Sequence, residues 1–137
     1  MNPDVAVHSF DEPRERIVPS QLKGRTLSGD EVVRPLEGLT LIVAIKSSCD
    51  GCRDFVHSSL EELAGVTVVV VSATGDDNAE WRDAAQPVIV APELLATLDI
   101  RWPPFYVLVD PVRRRVVTEG VVFGPAQVAE EIAPHLS

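Results

Sequence analysis

Cysteine is nearly absent from this chain of 137 residues, which has only two. They lie together as Cys49-Asp50-Gly51-Cys52, so they cannot act as a long-range staple; the loop they close is tiny and stabilises little. A zinc site, which takes about four ligands, would have to recruit His8, His57, His135 or carboxylates. Aromatic residues are equally scarce at 5%, so the core has to be built from Val, Leu, Ile and Ala. Positive charge is in deficit: the net charge of −9 argues against nucleic acid or an anionic membrane as the main partner, since both demand basic patches. The one basic cluster, Arg113-Arg114-Arg115, falls between two apolar runs and reads as a turn. No stretch of about 20 apolar residues exists, so no membrane insertion is expected. Residues 1–20 carry Asp4, Asp11, Glu12 and Glu15 and lack the apolar centre of a secretory signal. The chain as written is therefore expected in the cytoplasm, or outside it if a leader has been removed.

Hydrophobic residues make up 45% of the chain, too many for disorder, and the length suits one domain with its own core. Residues 1–19 are polar, charged and punctuated by Pro3, Pro13 and Pro19, and read as a flexible acidic arm before a domain over 20–137. Residues 22–27 and 31–35 flank Ser28-Gly29-Asp30 and predict an N-terminal β-hairpin. The unbroken apolar run 39–45 predicts a central strand covered on both faces. Val56, Leu60, Leu63 and Ala64 recur at helical spacing, predicting a helix over 53–64 stopped by Gly65.

Residues 66–71, nearly all Val, predict a second buried strand. Asp77-Asn78-Ala79-Glu80 has the pattern of a capping box opening a short helix that ends before Pro87. A short strand at 88–90 precedes Pro92, which opens a helix over 93–98. Residues 105–109 form a strand, Asp110-Pro111 a turn and Val116-Val117 the antiparallel partner. Gly124-Pro125 then opens a last helix with Val128, Ala129, Ile132 and Leu136 on one face, ended by Pro134. This order predicts an α/β fold, a central mixed sheet with helices on both faces.

The CxxC stands where the first central strand ends and a helix begins. Two intervening residues let both sulfurs meet across the first helical turn. The first thiol then sits at the helix N-terminus, where free N–H groups and the macrodipole favour a thiolate. Cys49 is the candidate nucleophile and Cys52, shielded a turn in, the resolving thiol. Asp50 opposes the helix contribution, since a carboxylate repels a thiolate by about 1 kcal/mol at roughly 4 Å in water. The pair is therefore expected to be a reductant or thiol exchanger rather than a strong oxidase. Gly51 either lets a partner's backbone approach the disulfide or accommodates a local bend. Lys46, at the strand end, is a candidate electrostatic aid to Cys49 or a side chain that snorkels to solvent.

Trp102-Pro103-Pro104 precedes the 105–109 strand, at a position where proline loses no ladder hydrogen bond. A cis X-Pro bond there would present a backbone edge to a substrate and keep metal from the thiols; a trans turn is the alternative. Trp81 and Trp102 are candidate anchors for a partner, and packing of its own short helix is the alternative for Trp81. A peroxidase reading fails for want of a Thr before Cys49, where Ser47 and Ser48 stand.

The segments IVAIKSSCDGC (42–52), 66–72 and RWPPFYVLVD (101–110) resemble thioredoxin-fold proteins. The resemblance is to the TlpA-like thiol-disulfide oxidoreductases, including accessory proteins of methylamine dehydrogenase maturation, and covers about residues 22–136. It implies a thioredoxin-like three-layer sandwich in which Cys49 and Cys52 are the redox pair and Pro104 is the cis-proline. Three positions depart from the pattern. Ser48 replaces a Trp, Val43 stands where thioredoxins bury a carboxylate, and no proline lies between the cysteines. These departures imply weakened general thioredoxin activity.

The expected reaction is thiol–disulfide exchange without a cofactor or bound metal. Cys49 and Cys52 do the chemistry on a protein or small-molecule disulfide, docked at Trp102, Pro103 and Pro104 and modulated by Asp50, Gly51 and Lys46. A dithiol partner would supply electrons. The alternative is a thioredoxin-like adaptor that binds without turnover.

Overall fold

The computed structural model describes residues 17–58, 60–74, 81 and 84–136. Most of the expected acidic arm and the Asp77–Glu80 capping box lie outside the described residues. At Val18 the chain is already packed, with its side chain buried.

The strands are β1 (Gln21–Arg25), β2 (Glu31–Pro35), β3 (Thr40–Ile45), β4 (Thr67–Ser72), β5 (Val88–Val90), β6 (Phe105–Asp110) and β7 (Arg115–Val121); the helices are α1 (Asp50–His57), α2 (Pro92–Thr97) and α3 (Pro125–Ile132). The described strands form one sheet in the order β2-β1-β5-β4-β3-β6-β7. Strands β3, β4 and β5 run parallel, while β6 and β1 join antiparallel to β3 and β5. The β1–β2 hairpin turns through Thr26–Asp30, closed by Thr26 N to Asp30 O at 2.8 Å, with Gly29 in a positive-φ conformation.

Every residue of β3 is buried, because successive side chains serve two opposite cores. Leu41, Val43 and Ile45 pack with Phe55, Val56, Val128 and Ile132 on the α1–α3 face. Ile42 and Ala44 pack with Val71, Leu94, Leu95 and Leu98 on the α2 face. The sheet is thus the middle of three layers. Although aromatics are few, Trp81, Tyr106 and Phe55 are the largest fully buried side chains.

The helix expected over 53–64 is shorter and starts earlier: α1 ends at His57, and Glu61–Leu63 form a separate 3-10 turn. The cause is tertiary. The Val56 carbonyl accepts N–H bonds from Ala85 (2.9 Å) and Gln86 (3.0 Å), and the Gln86 side chain donates to the Ser58 carbonyl at 3.0 Å. The helix end is thus capped by a distant loop, and Leu60 turns into a left-handed conformation to bury its side chain. Trp81 is buried too, which removes it as an exposed partner anchor.

Candidate functional site: a disulfide at a helix N-terminus

Strand β3 ends at Ile45, and Lys46-Ser47-Ser48 turn the chain into α1, with Ser48 at φ +57. Cys49 is the N-cap in an extended conformation; its carbonyl accepts the first helical bond from Arg53 N at 3.0 Å. The Cys52 N–H points at Cys49 Sγ, 3.2 Å away. Cys49 and Cys52 are joined as a disulfide with their Cα atoms 5.2 Å apart. Cys49 is half-buried, whereas Cys52 is wholly inside the core. One sulfur can therefore be reached from outside, and the other can be reached only through it. Once the bond is reduced, a helix N-terminus favours negative charge on the outer sulfur, while apolar surroundings disfavour it on the inner one.

A second segment comes to the same end of the sheet. Ala44 pairs with Phe105, so the residues before β6 lie alongside the chain leaving β3. There Trp102 is 81% exposed, Pro103 and Pro104 are half-buried, and the Pro103–Pro104 peptide is cis.

A third segment closes the arrangement. Between β7 and α3, Val122 N donates to Pro104 O at 3.2 Å. Phe123 follows, 76% exposed. Its carbonyl oxygen lies 2.6 Å from the point a Cβ on Gly51 would occupy. The backbone admitted by Gly51 is therefore the chain's own and not, as expected, a partner's: Phe123 already fills the space.

Charge around the pair is partly compensated. Asp50 is exposed, and its carboxylate is ion-paired with the Arg53 guanidinium one turn along α1. Arg53, unremarked in the sequence reading, was findable as an i,i+3 partner. Lys46 is exposed at the start of the turn. Val43 is fully buried in the same core as Cys52, so no carboxylate occupies that position.

The Tyr106 hydroxyl donates to Glu131 Oε1 at 2.7 Å, and Gln127 Nε2 donates to Glu131 Oε2 at 2.8 Å. Gln127 first and Tyr106 second hold the Glu131 carboxyl below its ordinary range. Burial, then the bond to Glu131, pushes the Tyr106 phenol well up. Gln127, Glu131 and Phe123 were also missed, although Gly124-Pro125-Ala126-Gln127 carries a helix-start signal, with Pro at the first helical position and Gln at the third.

Among the described residues, no group of three or more His, Cys, Asp or Glu side chains is placed to hold a metal ion. No described helix is long and apolar enough to cross a membrane. A cavity of about 590 Å³ lies beside β1 and β5, lined by Thr26, Trp81 and Val88 among others, and includes no residue of the CxxC turn.

No family model matches the chain, and no curated protein does either. Solved structures do match. A Chlorobium tepidum protein assigned as the thiol:disulfide interchange protein DsbE superposes with a TM-score of 0.63 at 18% identity, over 92% of this chain and all of that one. The thioredoxin domain of a Bacteroides vulgatus thiol-disulfide oxidoreductase gives 0.60 at 18% identity, over 88% of this chain and 96% of its own. Yeast Sco1 with copper bound gives 0.55 at 12%, over 89% and 93%. The chain has the thioredoxin fold. In that fold the CxxC turn, the Pro103–Pro104 loop and the β7–α3 connection share one end of the sheet, because β3 and β6 are antiparallel neighbours.

Proposed function

We propose that this thioredoxin-fold protein carries out thiol–disulfide exchange through Cys49 and Cys52. The reduced Cys49 thiolate attacks one sulfur of a substrate disulfide, forming a mixed disulfide and releasing one substrate thiolate. The Cys52 thiol gives up its proton and attacks Cys49 Sγ, closing the Cys49–Cys52 bond and releasing the second substrate thiolate. Two electrons pass to the substrate, and an external dithiol restores the pair. The observation that carries this reading is the bonded pair across the first turn of α1, outer sulfur accessible and inner sulfur buried. Trp102, Pro103 and Pro104 are the proposed docking edge. Pro103 has no N–H, so it can accept a hydrogen bond from a substrate strand but not return one; apolar contact from Trp102 then matters more.

The Asp50 carboxylate beside Cys49, partly neutralised by Arg53, still leans the pair toward reduction or exchange, and a reducing pair suits the cytoplasm. Lys46 is proposed only as a general positive charge at the turn. An adaptor role is the second reading, favoured by the exposed Trp102 and Phe123. Insulin reduction with dithiothreitol as electron source separates the two. Turnover lost in Cys49→Ser, with a trapped mixed disulfide in Cys52→Ser, supports exchange. A wild-type protein without turnover, or a Cys49→Ser variant that keeps it, overturns exchange.

A further inference from the structure

The β7–α3 connection is held by one side chain. Gln127 Oε1 accepts from Phe123 N at 2.8 Å and from Gly124 N at 3.3 Å. Its Nε2 donates to Val121 O at 2.9 Å and to Glu131 Oε2 at 2.8 Å. An amide has two donor hydrogens and two acceptor lone pairs, so all four are engaged. Capping α3 would need only the bond to Gly124 N; the other three go to the loop and to Glu131. Glu131 is itself anchored by the buried Tyr106, whose ring fills the space a side chain on Gly120 would need: a Cβ there would lie 2.8 Å from the ring. The loop so fixed touches both halves of the site, Pro104 through Val122 N and Gly51 through the Phe123 carbonyl.

We propose that Gln127 is a positioning residue for the redox site, its amide locking the loop 121–124 between Pro104 and Gly51 and so setting the exposed Phe123 ring at the rim of the CxxC turn. This rests on the exchange function proposed above. On this proposal a protein disulfide, being large, contacts the Phe123 rim as it reaches Cys49, whereas a small disulfide does not. Replacing the amide by an apolar group frees two loop N–H groups and a carbonyl, so the loop and the Phe123 ring move.

Gln127→Leu is expected to raise the KM for insulin about tenfold, the effect of roughly one hydrogen bond, while the rate with oxidised glutathione changes less than about twofold. Gln127→Glu keeps the acceptor for Phe123 N but sets a second carboxylate against Glu131. Its insulin rate relative to wild type is therefore expected to be low at pH 8 and to recover as the pH falls and the new carboxyl gains a proton to donate. Amide hydrogen exchange supplies a readout independent of turnover. In Gln127→Leu, Val122 N should lose protection along with Phe123 and Gly124, although its own partner is Pro104 O. Equal losses on insulin and glutathione, a flat pH ratio for Gln127→Glu, or unchanged protection at Val122 overturns the proposal. If wild type turns over neither disulfide, the exchange function fails, and Val122 protection still decides whether Gln127 locks the loop.

Discussion

Replacing Gly51 by alanine sets two effects of opposite sign against each other. Gly51 is the second residue of α1, and in a helix alanine is favoured over glycine by about 0.5–1 kcal/mol. Propensity alone thus makes Gly51→Ala stabilising. The structure predicts the reverse. The added Cβ would lie 2.6 Å from Phe123 O, 2.7 Å from Phe123 C and 3.3 Å from Gly124 N. A carbon and a carbonyl oxygen are comfortable at about 3.3 Å or more, so the gap is short by roughly 0.7 Å. The obstacle is backbone, and that backbone is held by Gln127 and by the buried Val122 side chain.

Overpacking of this kind costs about 1–3 kcal/mol; less the helix gain of about 0.5–1 kcal/mol, the net loss is about 0–2.5 kcal/mol. For a domain of this size that is a fall of up to about 9 °C in Tm. Denaturant unfolding of the oxidised and reduced protein measures it directly. Because the loop is the obstacle, the cost should shrink by about 0.5 kcal/mol or more in a Gln127→Leu background, the mark of coupled neighbours. A Gly51→Ala protein more stable than wild type would refute the close approach of Phe123 to the CxxC turn.

Acidification should weaken the Tyr106–Glu131–Gln127 network: Glu131 is held below its ordinary value of 4.5, so its contribution is complete above that value and is lost as the pH falls through the lowered one. Unfolding free energy followed from pH 6 to pH 2 should show that loss in wild type and not in Glu131→Gln; parallel curves would contradict the assignment. Trp102→Ala should alter stability by no more than about 0.5 kcal/mol, as expected for a side chain in solvent, yet raise the KM for insulin several-fold. An unchanged KM removes Trp102 from the docking edge. Arg53→Ala leaves the Asp50 carboxylate uncompensated beside Cys49 and should make the pair more reducing, by at most about 20 mV. Equilibration with a glutathione buffer reads this shift, and a move toward oxidising values would contradict it.

Much of the frame was legible because its signals are local. The apolar run 39–45 and the valines 66–71 could only be covered strands, and they became β3 and β4 with a one-residue shift. Pro92 and Gly124-Pro125 marked the starts of α2 and α3 correctly. Local spacing misled where the outcome depended on partners far along the chain. Leu60 and Leu63 lie at helical spacing from Val56, yet the loop at 84–86 takes the Val56 carbonyl and ends α1 early. The Asp50–Arg53 pair is a different case, because the two stand only three residues apart, at a spacing the sequence displays.

By itself the sequence determined a valine-rich central sheet and two thiols at the opening of a helix, because strand burial and helix starts follow from patterns within a few residues. The helix start also told the outer sulfur, Cys49, from the inner one; tertiary structure decided why residue 51 has no side chain, and that Gln127 and Tyr106 support the site. Those outcomes depend on strand order, which brings residues 25 or more positions apart into bonding distance. No local pattern encodes that order; it emerges only when two opposite faces of one sheet must both be covered.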